Sequence, residues 1–356
     1  MSIILLVKMK KIYLKFVDFW DGFDILCDCL SIILLVKMKK IYLKFVDFWD
    51  GFDTISNFIV DALSIQYEVV LSNEPDYLFY SCFGTSHLEY DCIKIMFIGE
   101  NIVPDFNVCD YAIGFNYIDF GDRYLRLPLY AIYDGFSNLQ NKKIDVNKAL
   151  DRKFCSIVVS NNKWADPIRE TFFKLLSSYK KVDSGGRAWN NIGGPVDNKL
   201  DFISQYKFNI AFENSRVLGY TTEKIMEPMQ VNSIPVYWGN PLVGKDFNVD
   251  SFVNAHDFDS LERLVEYIIE LDSSKDKYLE MLEKPWLLDK TYLDWKQLLL
   301  NFINNIMMKS YKDAKYLVNY GHAGKYRNEQ RFWGRCERKF KLQRIIEYYS
   351  QLFDRK

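Results

Sequence analysis

The stretch FNIAFENSRVLGYTTEKIMEPMQVNSIPVYWGN, residues 208–240, decides the fold class of this chain. It contains an apolar run (FNIAF), a polar turn, a helical pattern that opens on Glu223 and Lys224, and a second apolar run (IPVYW). This order is typical of a nucleotide site in an α/β sheet, where ligands bind outside the carboxyl ends of the strands. A helix N-terminus presents free N–H groups and a partial positive charge to a phosphate, and Lys224 would add a full charge. An ordinary buried βαβ unit with polar loop residues has the same spacing.

The same alternation extends to both sides of this stretch. The predicted strands are 41–46, 68–72, 77–81, 94–98, 111–115, 154–159, 208–212, 234–238 and 252–253. The predicted helices are 55–65, 167–179, 200–206, 261–271, 275–283 and 295–308, besides the short one that opens on Glu223 and Lys224. Segment 138–152 is polar and charged, which is typical of a linker. The pattern predicts two mainly parallel sheets covered by helices. The predicted segments are an extension 1–37, domains 38–150 and 151–308, and a tail 309–356.

Composition favours a globular protein with two cores. The 356 residues are 49% hydrophobic and 17% aromatic, which excludes a disordered chain and leaves room for two domains. Charge is balanced overall, yet residues 308–356 hold 13 basic against 5 acidic side chains. A basic tail on an acidic body indicates a partner of its own, an anionic membrane surface or a nucleic acid. We predict the membrane surface and no nucleic acid.

An exact repeat opens the chain, because SIILLVKMKKIYLKFVDFWDGFD occupies residues 2–24 and again 31–53. Solenoid repeats diverge and need several copies to bury a core, so two identical copies indicate a duplication or an upstream start. Only one copy can supply the first strand of one sheet. We predict the second, because it runs directly into the domain, and we expect residues 1–37 to be dispensable.

Cysteine usage and the opening residues indicate a cytoplasmic protein. The seven cysteines are scattered, and the close pair Cys27 and Cys29 has no second pair or histidine at metal-ligand spacing. We therefore expect no zinc site and a reducing compartment. The opening apolar run is short and precedes its lysines, the reverse of a signal peptide, and no stretch reaches the ~20 residues of a spanning helix.

The tail carries apolar residues at three- to five-residue spacing with basic residues between them. The apolar set is Phe332, Cys336, Phe340, Ile345, Tyr349 and Leu352. This pattern predicts a basic amphipathic helix that contacts an anionic membrane surface, which would make the protein peripheral on the inner face. A terminal helix packed on its own domain, or on a twin subunit in a homodimer, fits the pattern equally well.

Short motifs narrow the class of enzyme. The chain has no GxxxxGK[ST] and no GxGxxG after a strand, so P-loop and dinucleotide sites lose support. The one D-x-D, Asp257 to Asp259, directly precedes a helical pattern with Glu262 three residues after Asp259, which favours a helix cap over a metal site. Two sheets with a phosphate-type helix start in the second indicate a two-domain nucleotide-sugar transferase.

These residues resemble the α1,3/4-fucosyltransferases, and especially the bacterial α1,3-fucosyltransferases. The matching motifs are FNIAFENS, GYTTEKI, IPVYWGNP, KDFNVDSFVNAHDF, IGENIVPDFNVCDYAIGFNYIDFGDRYLRLPLY, VVSN, DPIR and VDSGGR. They lie between residues 38 and 308, and FENS followed by TEK is far more specific than a short glycine motif. The resemblance implies a GT-B fold, in which two Rossmann-like domains face each other across a cleft. It places the acceptor in the first domain and GDP-fucose in the second.

The resemblance also implies roles for individual residues. Glu223 and Lys224 fall where the family contacts fucose and the diphosphate. Arg169 falls on the family's arginine for the donor phosphates. Glu100 falls on its proposed general base. Further positions near the nucleotide are Asn214, Tyr220, Ser160 and Val159, and Arg187 beside a Gly-Gly turn would add to phosphate binding. Inversion at the anomeric carbon without an obligatory metal is implied as well.

The residue types suit such a transfer. GDP gains negative charge as the C–O bond breaks, and Arg169, Lys224 and the helix N-terminus would stabilise it. The acceptor hydroxyl must lose a proton, which Glu100 would accept from across the cleft. Glu223 near the ring would bind sugar hydroxyls and support oxocarbenium character. Without the resemblance, Glu100 would be interpreted as a solvated strand end and Arg169 as a surface charge.

The leading prediction is an inverting transferase that moves L-fucose from GDP-β-L-fucose to the 3-hydroxyl of N-acetylglucosamine in a Gal-GlcNAc glycan, such as a Lewis-type antigen on lipopolysaccharide. The alternatives are a GT-B transferase with another nucleotide sugar and a non-enzymatic glycan-binding or membrane scaffold protein.

Pro228 departs from a regular helix, because its missing N–H should kink or shorten the segment after Lys224. The heptad-like repeats of bacterial relatives and the paired-histidine motif of animal relatives are absent.

Overall fold

The computed structural model describes residues 4–8, 11–15, 38–133, 135–288 and 294–353, and side chains from residue 38 to residue 343 within those ranges. The strands are β1 Ile4–Lys8, β2 Lys11–Lys15, β3 Lys39–Val46, β4 Tyr67–Leu71, β5 Tyr77–Tyr80, β6 Ile93–Phe97, β7 Tyr111–Gly114, β8 Tyr124–Arg126, β9 Lys153–Ile157, β10 Val182–Ser184, β11 Tyr206–Phe212, β12 Ile234–Trp238 and β13 Val253–Asn254. The α-helices are α1 Phe58–Leu63, α2 Leu129–Ile132, α3 Val146–Leu150, α4 Ile168–Tyr179, α5 Lys199–Ile203, α6 Glu223–Gln230, α7 Leu261–Ser273, α8 Lys275–Glu283, α9 Trp295–Met307, α10 Tyr311–Ala314 and α11 Gly321–Phe353.

Two parallel sheets form the body of the molecule. The first has the strand order β4-β3-β5-β6-β7-β8, and the second has the order β10-β9-β11-β12-β13. Each pair of neighbours in these two sheets is parallel. The prediction of two mainly parallel sheets in an α/β protein is therefore confirmed.

The central strands β6 and β12 are apolar, except for the buried Lys94 in β6, because helices cover both of their faces. All five residues of β6 (IKIMF) and all five of β12 (IPVYW) are buried. Parallel strands buried on both faces read as continuous apolar runs, whereas half-exposed strands alternate. This is why the sequence predicts β12 to the residue and β6 to within one residue at each end.

The second copy of the repeat supplies the first strand of the first sheet, as predicted. β3 lies between β4 and β5 and pairs with both. β1 and β2, from the first copy, pair with each other in a separate antiparallel hairpin. Whether residues 1–37 are dispensable stays a prediction.

In three places the structure has secondary structure that the sequence did not predict, and the linker role of 138–152 stays a prediction. The predicted linker 138–152 contains α3 and the end of the 3₁₀ turn Phe136–Asn141, so it is folded onto the body. The short strands β8 and β10 were not predicted, because three residues are too few to show a period. The segment 309–328, which has no clear period, contains α10 and the first residues of α11.

The two sheets are joined by helix packing and by one buried ion pair. α9 follows the second sheet in the chain but packs against α1, where the rings of Trp295 and Phe58 lie 6.2 Å apart. Arg126 on β8 donates to Asp246 at 2.9 Å, and the aspartate is nearly fully buried. The domain boundaries stay a prediction, yet these contacts hold the first sheet against the second.

The tail helix packs on the first domain through a face other than the stripe of Phe332 and Phe340, so the predicted membrane contact of that stripe stays a prediction. Gly334 lies so close to Thr85 that a Cβ would crowd it, and Arg331 donates to the carbonyl of Leu88 at 2.6 Å. The predicted apolar residues Phe332 and Phe340 are instead 59% and 69% exposed. Small and basic residues make the packed face because glycine permits close approach and arginine reaches partners on the turn Ser86–Glu89.

The rest of the predicted stripe falls outside the described side chains. Cys336 is only partly buried, and Ile345, Tyr349 and Leu352 lie beyond residue 343. None of the helices in the described part of the chain is long and apolar enough to cross a membrane.

The D-x-D motif is part of a helix start, as predicted, although its cap lies one residue later. Ser260 is the N-cap of α7 and accepts a hydrogen bond from the backbone N–H of Arg263. Asp257 accepts from the side chain of Asn254 at 2.8 Å, which is a local turn contact.

Candidate active site

The polar motifs of the second sheet lie together at its carboxyl edge. Val159 and Ser160 follow β9, residues 185–187 follow β10, and Glu213 follows β11. Because these strands are parallel neighbours, their loops meet at one edge, which is where ligands bind in open α/β sheets. α6 begins at the same edge with Thr222 as its N-cap.

A buried carboxylate fixes the start of α6. Glu213 has no exposed surface and accepts from the backbone N–H of Thr222 at 2.7 Å and from its hydroxyl at 2.9 Å. Lys224 Nζ lies 3.2 Å from Glu213 and 3.0 Å from the Thr222 hydroxyl. Burial lowers the pKa of Lys224, but the charges of Glu213 and Glu223 outweigh it and raise the pKa above its usual range. Lys224 is therefore a fixed cation at the helix N-terminus, and the buried carboxylate of Glu213 positions it.

Arg169 on α4 supplies a second buried cation. It is 3% exposed, and its guanidinium donates to the side-chain oxygen of Asn214 at 2.8 Å. The buried Nε of Arg169 has no hydrogen-bond partner among the described residues. An unpaired charged donor in a buried position is costly, which makes this atom a candidate for a ligand oxygen.

Three cations line one cleft at this edge. Arg169, Lys199 and Lys224 lie around it, together with the apolar residues Val159 and Phe212. Lys199, at the start of α5, also forms an ion pair with Glu227 on α6. The enclosed part of this cleft is only about 10 Å³, which is room for one water, so the positive charges suit a diphosphate at the cleft opening rather than within it.

The loop after β10 closes over the loop after β9. A Cβ on Gly186 would overlap the backbone carbonyl of Val159, so only glycine fits there. The same carbonyl accepts from Ala188 N at 2.9 Å. Val159 is buried, Ser160 and Arg187 are exposed, and Arg187 has no ionic or hydrogen-bond partner within the described side chains. Both exposed residues are free to meet a ligand from the cleft rim.

Glu100 approaches this edge from the first sheet. It follows β6, and the neighbouring Asn101 donates to the hydroxyl of Ser215 at 2.7 Å, so the IGEN and FENS loops touch. Burial raises the pKa of Glu100, the charge of Lys224 opposes this rise and the charge of Glu223 adds to it. The structure thus brings together residues that are more than 100 positions apart in the chain.

The carboxyl groups of Glu100 and Glu223 have opposite pKa shifts. Burial acts to raise the pKa of Glu223, but the cations Lys224 and Lys199 lower it below its usual value. Glu223 is therefore an ionised partner of the cations, whereas Glu100 is the more basic carboxylate. Two carboxylates whose environments separate their pKa values are typical of a divided acid–base assignment.

Tyr220 lies where the two halves meet. It is buried, and its ring packs edge-on against Phe115, which follows β7, at 5.1 Å. Burial raises the pKa of its hydroxyl, and the charges of Glu213, Lys224 and Glu100 also act on it. The hydroxyl is therefore close to the proposed catalytic groups.

Comparison with protein families agrees with this geometry. The family model described as the α-(1,3)-fucosyltransferase FucT N-terminal domain matches residues 43–133, and the glycosyltransferase family 10 (fucosyltransferase) C-terminal model matches residues 149–312. A crystal structure of an α1,3-fucosyltransferase superimposes with a TM-score of 0.69 and 32% identity, over 79% of this chain and 94% of that one. The chain belongs to the α1,3-fucosyltransferase family.

Further relatives of this fucosyltransferase extend the comparison. A crystal structure of an α1,3-fucosyltransferase with GDP-fucose is 33% identical, with a TM-score of 0.69, over 80% of this chain and 94% of the other. The α-(1,3)-fucosyltransferase FucT of Helicobacter pylori is 38% identical over 260 residues, which is 62% of this chain and 54% of that protein. The chain thus spans about half the length of that curated relative. The prediction of a GT-B fold is confirmed.

Pro228 interrupts α6 less than its missing N–H predicts. The helix runs through Pro228 and ends at Gln230, two residues later. The carbonyl of Pro228 accepts from Val231 N and Ser233 N, which closes the helix. The helix is short but continues two residues past Pro228, and its N-terminal turn with Lys224 is intact.

Two residues near the fucosyltransferase site were not predicted from the sequence. Lys199 belongs to no recognisable motif, and Tyr133 follows the short helix α2. Burial and the charges of Glu223 and Glu227 together raise the pKa of Tyr133 to about 12, so its hydroxyl lies near these carboxylates of α6. Neither carries a sequence signal, because only tertiary packing places them here.

Within the described residues, no group of three His, Cys, Asp or Glu side chains is arranged to hold a metal ion.

Proposed function

We propose that this fucosyltransferase is an inverting enzyme that transfers L-fucose from GDP-β-L-fucose to the 3-hydroxyl of N-acetylglucosamine in a Gal-GlcNAc glycan. The observation that carries the proposal is the contact between the Asn101 and Ser215 loops, because it sets Glu100 opposite the helix start at Glu223 and Lys224. The similarity to a crystal structure with GDP-fucose supports the donor. A Lewis-type antigen on lipopolysaccharide is the proposed acceptor class.

The donor diphosphate is assigned to the opening of the cation cleft. Arg169, Lys199 and Lys224 neutralise the charge that GDP gains on leaving, and the N–H groups at the start of α6 add to this. Asn214 orients Arg169, and Tyr220, Val159, Ser160 and Arg187 complete the nucleotide surroundings. With this much fixed positive charge, we expect the reaction to need no metal ion.

The transfer step uses the carboxylates in different roles. The acceptor oxygen attacks the anomeric carbon from the face opposite GDP, its proton passes to Glu100, and the bond from carbon to the GDP oxygen breaks with its electron pair leaving on GDP. Attack from the opposite face inverts the β-linked donor to an α-linked product. Glu223, held ionised by Lys224 and Lys199, binds sugar hydroxyls and stabilises positive charge on the ring.

The nucleotide-sugar assay tests this function. The purified protein is incubated with N-acetyllactosamine or its β1,3-linked isomer, and with GDP-fucose or GDP-mannose in separate reactions. We expect transfer from GDP-fucose and a preference for the β1,4-linked disaccharide. Transfer from GDP-mannose alone would favour the alternative GT-B transferase, and no transfer from any nucleotide sugar would favour a glycan-binding or scaffold protein.

We further propose that the exposed side of α11 contacts an anionic membrane surface, with the enzyme cytoplasmic and peripheral. Phe332, Trp333 and Phe340 are 59%, 65% and 69% exposed, and Lys339 and Lys341 lie between and beside them. Aromatic rings with interspersed basic side chains are typical of interfacial helices. A homodimer through the same surface is the other option.

Vesicle flotation tests the tail surface. We expect the protein to float with vesicles that contain phosphatidylserine and to stay behind with pure phosphatidylcholine at moderate salt, because each basic residue near an anionic surface contributes about 1 kcal/mol. Lys339→Glu with Lys341→Glu should abolish flotation. Lys174→Glu on the exposed side of α4 is the control, and loss of flotation in that control, or a stable dimer that does not float, would contradict the membrane assignment.

A further inference from the structure

An exposed pair of aromatic rings lies at the carboxyl edge of the first sheet. Trp49 and Phe83 are 41% and 47% exposed, and their ring centroids lie 6.5 Å apart at an interplanar angle of 75°. Trp49 also packs edge-on against Phe52 at 4.9 Å, and Phe52 stacks on Phe48 at 4.0 Å. The inner side of the pair therefore packs against other aromatic rings, and its outer side is exposed. Neither ring belongs to the proposed donor site.

The position of the pair relates it to the proposed base. Trp49 follows β3, Phe83 follows β5 and Glu100 follows β6, and these three strands are adjacent and parallel. Strands in a sheet are 4.7–4.9 Å apart, so the edge from β3 to β6 spans about 10 Å, roughly the length of a disaccharide. Cys82, which precedes Phe83 in the chain, lies near Glu100. Burial raises the pKa of its thiol, and the carboxylate of Glu100 raises it further.

The loop that carries Phe83 is held in one conformation. Asp47, at the end of β3, has a φ of +58° and accepts from Ser86 N at 3.0 Å and from His87 N at 2.8 Å. Its carboxylate also pairs with Nδ1 of His87 at 2.8 Å, and its carbonyl accepts from Phe83 N at 3.0 Å. A left-handed backbone at a non-glycine residue is strained, and such strain persists at sites where the surrounding structure compensates for it.

The tail helix supports the same loop from behind. Arg338 donates to the hydroxyl of Thr85 at 2.7 Å, and both Arg335 and Arg338 pair with Glu89 at 2.6 Å. Gly84 leaves no room for a Cβ beside the Asp47 carboxylate. The two rings are thus set before any ligand arrives, which lowers the entropic cost of binding.

The chemistry of the rings selects a sugar with an apolar face. Aromatic faces carry negative charge density and attract C–H groups that carry partial positive charge. In a β-galactoside the axial 4-hydroxyl leaves the hydrogens on C3, C4 and C5 together on one face. The exposed carboxylate of Asp50, next to Trp49, is available to accept from hydroxyls at the ring edge.

We propose that Trp49 and Phe83 form a binding platform for the galactosyl residue of the acceptor disaccharide, which holds the N-acetylglucosamine 3-hydroxyl at Glu100. This inference rests on the fucosyl transfer proposed above. It makes Trp49 and Phe83 specificity residues rather than catalytic residues, because they contact the sugar that does not react.

The ratio of two acceptors tests the platform. Wild-type enzyme should use N-acetyllactosamine with a higher kcat/KM than N-acetylglucosamine, and Trp49→Ala should reduce that ratio about tenfold, which corresponds to ~1.4 kcal/mol. The milder Phe83→Leu should reduce it less, and the KM for GDP-fucose should stay within about twofold. Trp333→Ala removes a still more exposed tryptophan on α11 (65% against 41%) and should leave the ratio unchanged. An unchanged ratio in Trp49→Ala, or an equal loss on both acceptors, overturns the platform.

Saturation-transfer NMR separates this inference from the transfer reaction itself. With GDP and N-acetyllactosamine present, the H3, H4 and H5 protons of galactose should receive saturation from wild-type protein and lose most of it in Trp49→Ala. Absence of turnover with retained galactose contacts would remove the proposed reaction but not the platform. Contacts that are equal in wild type and in Phe83→Leu and Trp49→Ala would remove the platform even if fucose is transferred.

Discussion

Replacing Glu100 by glutamine is expected to lower kcat by about 10²–10⁴ while leaving GDP-fucose binding unchanged. Glutamine keeps the size of the side chain but cannot accept the acceptor proton. The donor cations lie on the second sheet, so their contacts do not depend on this carboxylate. Single-turnover rates with N-acetyllactosamine and a donor titration monitored by tryptophan fluorescence give the two quantities separately.

Two controls belong to this prediction. Glu74→Gln changes an exposed carboxylate after β4 in the same sheet and should leave kcat unchanged. In wild type, kcat/KM should fall as the pH drops through the pKa of Glu100, because the base must be ionised. Burial and Glu223 raise that pKa, so the fall should begin above the ordinary glutamate value of about 4.3. If kcat/KM of Glu100→Gln still falls at low pH as in the wild type, or if the variant keeps its turnover, another residue must be the base.

Replacing Arg169 by methionine is expected to lower kcat/KM by about 10²–10³, with weaker binding of GDP as well. The side chain is buried, and its Nε is unpaired among the described residues, which makes it a candidate to bind a donor phosphate. Methionine fills a similar volume without charge. Initial rates at varied GDP-fucose and inhibition by GDP measure the two effects.

The matched control is Lys174→Met on the same helix. Lys174 is exposed and pairs only with Glu170 on the surface, so its loss should change neither rate nor GDP inhibition. Arg169→Lys keeps the charge but not the two-pronged geometry, and we expect an intermediate loss. GDP inhibition that is unchanged in Arg169→Met would contradict the assignment of Arg169 to the donor phosphates.

The sequence predicted that the candidate donor residues lie together because they stand at the ends of strands. Glu213 and Lys224 flank one turn between β11 and α6, and parallel neighbours place all such turns at one edge. The motif alone could not assign Glu213, because its role depends on complete burial beneath Thr222 and Lys224. Local pattern thus located the site, and packing determined what each carboxylate does.

Residues brought in by tertiary packing were out of reach of the sequence. Lys199 enters the cation cleft from α5, and Tyr133 approaches the carboxylates of α6 from the other half of the molecule. The Asp47 and His87 pair joins residues 40 positions apart and gives no periodic signal. Such contacts depend on how the helices and loops pack on the sheets, and short sequence motifs do not specify that packing.

The tail shows that a periodic pattern does not decide which face of a helix packs on the protein. Phe332 and Phe340 recur as a buried stripe would, yet the helix packs through Gly334, Arg331 and Arg338. Ion pairs with Glu89 lower its pKa to about 2, so this contact persists over the physiological range. Periodicity predicts that a helix forms, whereas the partner surface decides which side it uses.

The linkage and anomeric configuration of the product test the central claim most directly. After incubation of the wild-type enzyme with GDP-β-L-fucose and N-acetyllactosamine, NMR of the purified trisaccharide reports both. We predict an α-linked fucose on O3 of N-acetylglucosamine, as attack opposite the GDP at the cation cleft and proton transfer to Glu100 require. A β-linked fucose, or fucose on a galactose hydroxyl, would contradict this account.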